Sequence, residues 1–163
     1  MIQKTLVLIK PDGVQRGLIG EILKRFEQRG LKILAMKMVK TNKGKAEQHY
    51  REEIEEKHGK HVRTALIDFI TNAPIIVICI SGSSAISIVR KIVGNTYPGE
   101  AGIGTIRGDL AHASKEYAKK SSKALPNLVH ASENEEEAKR EIELWFSPNE
   151  LYDYQLSHES HIL

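Results

Sequence analysis

Apolar runs of strand length recur along the chain. "TLVLIK" (Thr5–Lys10) carries β-branched residues and closes on Pro11-Asp12-Gly13, which reads as a buried strand followed by a turn. "KILAMKMV" (Lys32–Val39) is a second strand, "IIVICI" (Ile75–Ile80) the most strand-like segment, and Leu128–Val129 a short last one. Between them the period changes. Ile19, Ile22, Leu23 and Phe26 fall at i, i+3, i+4 and i+7, one helical face, and Gly30 suits a C′ position after it. Ala46 to Lys57 is dense in charge and predicts one helix; Val62, Leu66, Phe69 and Ile70 predict the next, broken at Asn72-Ala73-Pro74. Ala85, Ile88, Val89 and Ile92 mark another before Gly94, and Ala138, Ile142, Trp145 and Phe146 a last. Residues 95–110, with Pro98 and glycines at 99, 102, 104 and 108, read as loop. Residues 111–125 are polar and rich in Lys and Ser, with a short helix near Lys115–Lys120.

This order predicts an α+β fold: a ferredoxin-like split βαβ arrangement, an antiparallel sheet with helices on one face, a helical insertion and an extra loop. A length of 163 residues suits one core, so residues 1–163 are expected to be a single domain. Composition changes little. The net charge of +3 is too mild to imply nucleic acid, yet it suits anionic small molecules if the basic residues converge. Cys79 is the sole cysteine, inside an apolar run, so no internal disulfide can form and a buried thiol is expected. The N-terminus does not resemble a signal peptide and no run approaches the roughly 20 apolar residues of a membrane span. The expectation is a soluble, cytoplasmic protein that does not engage membranes.

Seven histidines are candidates for chemistry. His49, His58 and His61 lie in charge-rich helical segments, and His158 and His161 in the polar tail; solvated side chains are the favoured reading for all of these. His112 is ambiguous. His130 differs, because it ends a strand just ahead of a helix, where rigid scaffolds place functional groups. On position alone a functional role and a locally satisfied histidine are about equally supported. The acidic run Glu135–Glu137 has a plain explanation as the first turn of a helix capped by Asn134, or by Ser132 with Glu135 completing a capping box. Lys10 at a strand end, Arg90 on a helix and Arg107 in "GTIRGD" would suit a polyphosphate together, although each alone reads as a surface ion pair. Neither a GxxxxGK[ST] loop nor a GxGxxG after a strand is present.

"KPDGVQRGLIGEILKRFE", "HY", "GNTYP", "GTIRGD", "NLVHAS" and "EIELWF", in that order, resemble the nucleoside diphosphate kinases over nearly the whole chain. That resemblance implies transfer of the γ-phosphoryl group of a nucleoside triphosphate to a nucleoside diphosphate, in two half-reactions through a phosphohistidine on His130. It further implies phosphate contacts from Lys10, Arg90, Thr96 and Arg107, sugar and phosphate contacts from Asn127, and support of the histidine by Tyr50, Ser132 and Glu141. Mg²⁺ would be carried on the substrate phosphates rather than in a protein cage, and a homo-oligomer is implied, a hexamer ahead of a tetramer. The Glu141 role also bears on the helix cap. A helix starting at Ser132 would put Glu141 roughly 13 Å along its axis, too far to reach His130, so a start at Asn134 is favoured.

The chain departs from the family pattern in places. Ala131 and Glu133 replace the commoner Gly and Asp, both mild changes. The stretch from Tyr50 to Pro74 is about four residues longer, and "KHVRTAL" stands where the family carries a base-stacking Pro-Phe-Phe, leaving Val62, or His61, at that position. A second insertion of about ten residues falls near 113–125 and is expected to be an exposed excursion outside the core. A competing reading is a binding module, since ferredoxin-like sheets also bind RNA. The strands lack the exposed aromatics such a surface needs. A degenerate, purely structural relative is disfavoured because every nominal catalytic position is filled.

Overall fold

The computed structural model describes residues 1–121 and 123–162; Ser122 of the predicted insertion and Leu163 lie outside them. Strands β1 (Ile2–Ile9), β2 (Lys32–Val39), β3 (Ile75–Ser83) and β4 (Val129–Ala131) form one sheet in the order β2-β3-β1-β4, and every neighbouring pair is antiparallel. This is the predicted split βαβ order. The helices are α1 (Pro11–Gln15), α2 (Ile19–Glu27), α3 (Lys43–His49), α4 (Glu52–His58), α5 (Lys60–Asn72), α6 (Ala85–Val93), α7 (Ile106–Leu110), α8 (Lys115–Lys120), α9 (Glu135–Trp145) and α10 (Glu159–Ile162).

The expectation of helices on one face is corrected: both faces are covered. Leu6 and Leu8 of β1 pack with Ala46, Tyr50, Ile67, Ile70, Ile142 and Trp145 from α3, α5, α9 and the residue after α3. Their alternating neighbours Val7 and Ile9 pack with Ile22, Phe26, Ala85, Val89 and Ile106 from α2, α6 and α7. The physical reason was in the sequence. "TLVLI" and "IIVICI" are continuous apolar runs, the pattern of strands buried on both sides, whereas a one-sided sheet alternates apolar with polar.

Local corrections follow from backbone geometry. The single helix expected over 46–57 is two, because Tyr50 (φ −95°, ψ 82°) and Arg51 (φ −67°, ψ 174°) leave the helical region. Arg63 holds that break, its Nε donating to the Tyr50 carbonyl at 2.7 Å. The Pro11-Asp12-Gly13 turn is the start of α1, with proline at the first position, where its missing N–H costs nothing. The loop expected over 95–110 contains α7, capped by the Thr105 side chain, which accepts from the Gly108 N–H at 3.0 Å.

Strand β4 is short but firmly placed. Leu128, just before it, is fully buried with φ 70°, a left-handed conformation that costs a non-glycine residue of order 1–3 kcal/mol. Both of its backbone groups are clamped: the Lys10 N–H donates to the Leu128 carbonyl at 2.8 Å, and the Leu128 N–H donates to Asp12 Oδ2 at 2.9 Å. The turn between β1 and α1 thereby fixes the entry into β4 and sets His130 opposite Leu8.

Candidate active site

A cleft of about 1060 Å³ opens along one end of the sheet. Lys10, Tyr50, Val62, Arg90, Thr96, Arg107, Asn127, His130 and Glu141 all line it. They come from strand ends, helices and loops scattered from residue 10 to residue 141, so the fold assembles what the sequence leaves far apart. Of the candidates, only Ser132 lies behind the surface, fully buried.

His130 is held from one side. Its Nε2 lies 2.9 Å from Glu141 Oε1, and Ser132 Oγ donates to Glu141 Oε2 at 2.6 Å. The helix behind this contact starts where the pairing requires, with Asn134 Oδ1 accepting from the Glu137 N–H at 2.9 Å. Burial pushes the Glu141 carboxyl up, but the His130 ring's charge and hydrogen bond, with smaller contributions from His49 and Ser132, outweigh it and bring the pKa down to about 2. An ionised Glu141 can only accept, so the proton between the two sits on Nε2, and in the neutral ring it is Nδ1 that keeps the lone pair.

The sequence reading of His49 is corrected. It is not a solvated side chain but a buried one, 2% exposed, its ring 4.5 Å from that of His130 and nearly perpendicular to it at 78°. Trp145 Nε1 donates to His49 Nδ1 at 3.3 Å. Burial, reinforced by His130, pushes the His49 pKa down to about 3, so the ring is neutral and braces His130 without adding charge. The signal was available: Ala46, His49 and Tyr50 fall at i, i+3 and i+4, a helical face that the surrounding charges hid. The buried Tyr50 hydroxyl is pushed above its ordinary range by burial and by Glu141, so it stays protonated. His58, His61 and His161 are exposed as expected, the first two at the cleft; His112, left ambiguous, is exposed too, whereas His158 is half-buried rather than solvated.

The cations divide into two groups. Arg51 and Arg140 are neutralised by Glu137 at 2.9 and 2.6 Å. Lys10, Arg90 and Arg107 have no acidic partner among the described residues. The Arg107 guanidinium donates only to carbonyls, from Nε to Asn127, Nη1 to Gly94 and Nη2 to Val129, at 3.1, 3.0 and 2.7 Å. Burial and then the nearby Arg90 pull its pKa down to about 10. Lys10 is 4% exposed, and burial, opposed by Asp12 and assisted by Arg107, pulls its ammonium down to about 8. Buried positive charge without a counter-ion is destabilising unless an anion arrives. Asn127 adds an acceptor: its Nδ2 donates to the Thr96 carbonyl at 2.8 Å, while its Oδ1 is buried with no donor.

His49, His130 and Glu141 bring ligating atoms within 4.8 Å of one another, a donor set for a soft ion such as zinc. Three of their donor atoms are already in hydrogen bonds: His49 Nδ1 with Trp145, and His130 Nε2 with Glu141 Oε1. Of the carboxylates that line the cleft, Glu53, Glu137 and Glu141 are engaged by Arg51, Arg140 and His130, which leaves the exposed Glu133 alone among the described residues and no set of carboxylates for Mg²⁺.

The lowered Lys10 pKa makes affinity for an anion pH-dependent. A bound phosphate favours the protonated amine, so binding should draw in a proton above about pH 8 and weaken as pH rises through that value, by up to about tenfold per unit. Calorimetric ADP titrations of wild type and Lys10→Gln at pH 7 and pH 9 check this. A wild-type Kd no more pH-dependent than that of the variant refutes it.

Comparison with known proteins agrees with this geometry. Residues 3–151 match the family model described as nucleoside diphosphate kinase. The chain is 48% identical over 153 residues to the nucleoside diphosphate kinase of Pyrococcus furiosus, covering 94% of this chain and 88% of that one. With the enzyme of Sulfurisphaera tokodaii identity is 49%, covering 92% of each. A solved nucleoside-diphosphate kinase from Borrelia burgdorferi, a transition state mimic with bound vanadate and ADP, superposes with a TM-score of 0.96 at 42% identity, over 98% of this chain and 96% of that one. With a cleft of unpaired cations around a carboxylate-held histidine, and with this likeness along nearly its full length, the chain belongs to the nucleoside diphosphate kinase family of phosphotransferases.

Proposed function

We propose that the chain, as one unit over residues 1–163, moves a phosphoryl group between nucleotides through a covalent intermediate on His130. The observation that carries this reading is the Glu141 contact at Nε2, which leaves Nδ1 as the nucleophile. In the first half-reaction the Nδ1 lone pair attacks the γ-phosphorus of a nucleoside triphosphate. The bond to the β–γ bridging oxygen breaks and its electron pair leaves with the diphosphate. The imidazolium so formed is stabilised by Glu141, which itself stays ionised. In the second half-reaction a terminal phosphate oxygen of a different diphosphate attacks the same phosphorus, and the P–N pair returns to Nδ1. One cleft serves both halves in turn.

Phosphoryl transfer needs positioning and charge neutralisation more than further covalent chemistry. Lys10, Arg90 and Arg107 supply the positive charge, the Thr96 hydroxyl contacts phosphate, and the open acceptor on Asn127 suits a sugar hydroxyl. Mg²⁺ would come in with the nucleotide, where it would add to the positive charge that Lys10, Arg90 and Arg107 offer the phosphates. Incubation with γ-labelled ATP and no acceptor tests the scheme. One acid-labile, alkali-stable phosphate per chain, released to an added diphosphate, is the expected result, and label that no diphosphate can remove overturns it.

Val62 is proposed to meet the base. It lines the cleft, half-buried, with the exposed His61, the other candidate for this position, beside it in the lining. Base–aromatic stacking is worth about 1–3 kcal/mol where it exists, so its loss should weaken all nucleotides alike and leave the phosphate contacts dominant. Values of kcat/KM for ADP, GDP, CDP and UDP should therefore lie within about a hundredfold of one another; a larger preference needs specific base contacts and would refute a permissive pocket.

The expected assembly is a homo-oligomer, a hexamer ahead of a tetramer. Edge strand β2 supports association, since Met36 and Met38 are 51% and 58% exposed beside unpaired backbone groups. The site of action is proposed to be the cytoplasm. Among the described residues no helix is long and apolar enough to cross a membrane.

A further inference from the structure

The 113–125 insertion was expected to stand away from the core, and α8 does bury no side chain. Its second half nevertheless reaches the cleft, where Lys119, Lys123 and Leu125 form part of the lining. The segment is docked rather than adrift. The Gly99 N–H donates to the Ala113 carbonyl at 3.1 Å, and the Lys115 ammonium sits 5.5 Å from the Tyr97 ring centroid. The Ser114 side chain caps α8 by accepting from the Tyr117 N–H at 3.1 Å. At its far end Asn127 ties it to Thr96 and Arg107. The segment therefore rests on the loop that carries Thr96 and runs into the strand that carries His130.

Its charge is lopsided, with Lys115, Lys119, Lys120 and Lys123 against Glu116 alone. Neither Lys119 nor Lys123 has an ion-pair partner among the described residues; of the cleft's carboxylates Glu53, Glu137 and Glu141 are already engaged, and the exposed Glu133 pairs with neither lysine. A segment that adds nothing to the core, is fastened along the substrate loop and presents unpaired ammonium groups to a phosphate cleft is built to meet an anion.

We propose that Lys119 and Lys123 are nucleotide-binding residues, an outer pair of cations that captures the substrate before Lys10, Arg90 and Arg107 take hold of the transferring group. This deepens the proposed phosphotransfer function and rests on it. Both side chains are exposed, so they attract the nucleotide equally before and during reaction. That uniform attraction appears in KM and in the association rate, not in kcat. It is also screened by salt, unlike the contacts of the buried Lys10 and Arg107.

The test uses the full-length Lys119→Gln/Lys123→Gln double variant and a charge-keeping Lys119→Arg/Lys123→Arg control. Steady-state kinetics with ATP and a diphosphate acceptor, and ADP binding by calorimetry, are measured at salt from about 20 to about 200 mM. The Gln variant should raise KM and the ADP Kd roughly three- to tenfold at low salt, with the gap closing at high salt and kcat unchanged. The Arg control should stay near wild type. Unchanged KM, Kd and salt dependence in the Gln variant, or a fall in kcat alone, overturns the proposal. Its fate is separable from that of the covalent scheme. If wild type fails to label His130 the covalent scheme falls, while ADP binding and its salt dependence still decide the role of the lysines.

Discussion

The His130→Ala variant is expected to lose essentially all phosphotransfer, at least roughly 10⁴-fold in kcat, while still binding ADP. No neighbouring group is placed to substitute for the proposed nucleophile. His49 is the nearest imidazole and borders the cleft, but it is buried and its Nδ1 is taken by Trp145. Tyr50 keeps its hydroxyl proton. Binding should survive because the unpaired cations that attract phosphate belong to other elements. Glu141→Gln makes a graded companion: the amide oxygen still accepts from Nε2, but the charge that stabilises the phosphorylated imidazolium is gone, so activity should fall without vanishing. The competing acceptor is His112, which follows α7 and is exposed. Acid-labile phosphate acquired from ATP by His130→Ala and not by His112→Ala would mean that the nucleophile has been misplaced.

The topology was legible because strand and helix periods are local. β2 was predicted at its observed bounds, Lys32–Val39, and α8 at Lys115–Lys120. The two-sided burial of the sheet could be read from its continuous apolar runs, whereas other failures had tertiary causes. Nothing local in a charged stretch announces that the chain must leave the helix at Tyr50; the break is held by Arg63, thirteen residues on. Arg107 looked like a loop residue because glycines surround it, yet Gly108 belongs to α7, packed against the Gly102 carbonyl so closely that a Cβ would not fit.

The site was legible for a different reason. Its motifs resemble those of a family, and the resemblance led to residues that the fold brings into one cleft. Physical reading alone gave His130 even odds and accepted each cation as a surface ion pair. What resolves the cations is visible only in three dimensions. Arg51 and Arg140 have carboxylates and Lys10, Arg90 and Arg107 do not. His49 was read as solvated because charges surround it in sequence, while its partners Trp145 and His130 lie 96 and 81 residues away.

Arg107→Ala and Lys10→Ala should cost similar amounts of activity and opposite amounts of stability. Both remove positive charge from the transferring group in a desolvated site, where such a contact is typically worth about 3–4 kcal/mol, or a hundred- to a thousandfold in kcat. Their structural roles differ. Arg107 donates to the carbonyls of Gly94, Asn127 and Val129, so its loss leaves acceptors unpaired at the entry to β4 and should lower stability by roughly 1–3 kcal/mol. Lys10 is a buried cation whose ammonium has neither a carboxylate nor a carbonyl partner among the described residues, resting near the Phe69 ring at 5.6 Å. Burial opposes its charge, so replacing it with a small apolar side chain relieves that penalty and should leave the free enzyme as stable as wild type or more so. Thermal unfolding without nucleotide, beside single-turnover phosphorylation, reads both effects. The reading of Lys10 as a functional cation fails if Lys10→Ala keeps full activity and unfolds at a lower temperature, because the lysine would then be serving the fold and not the reaction.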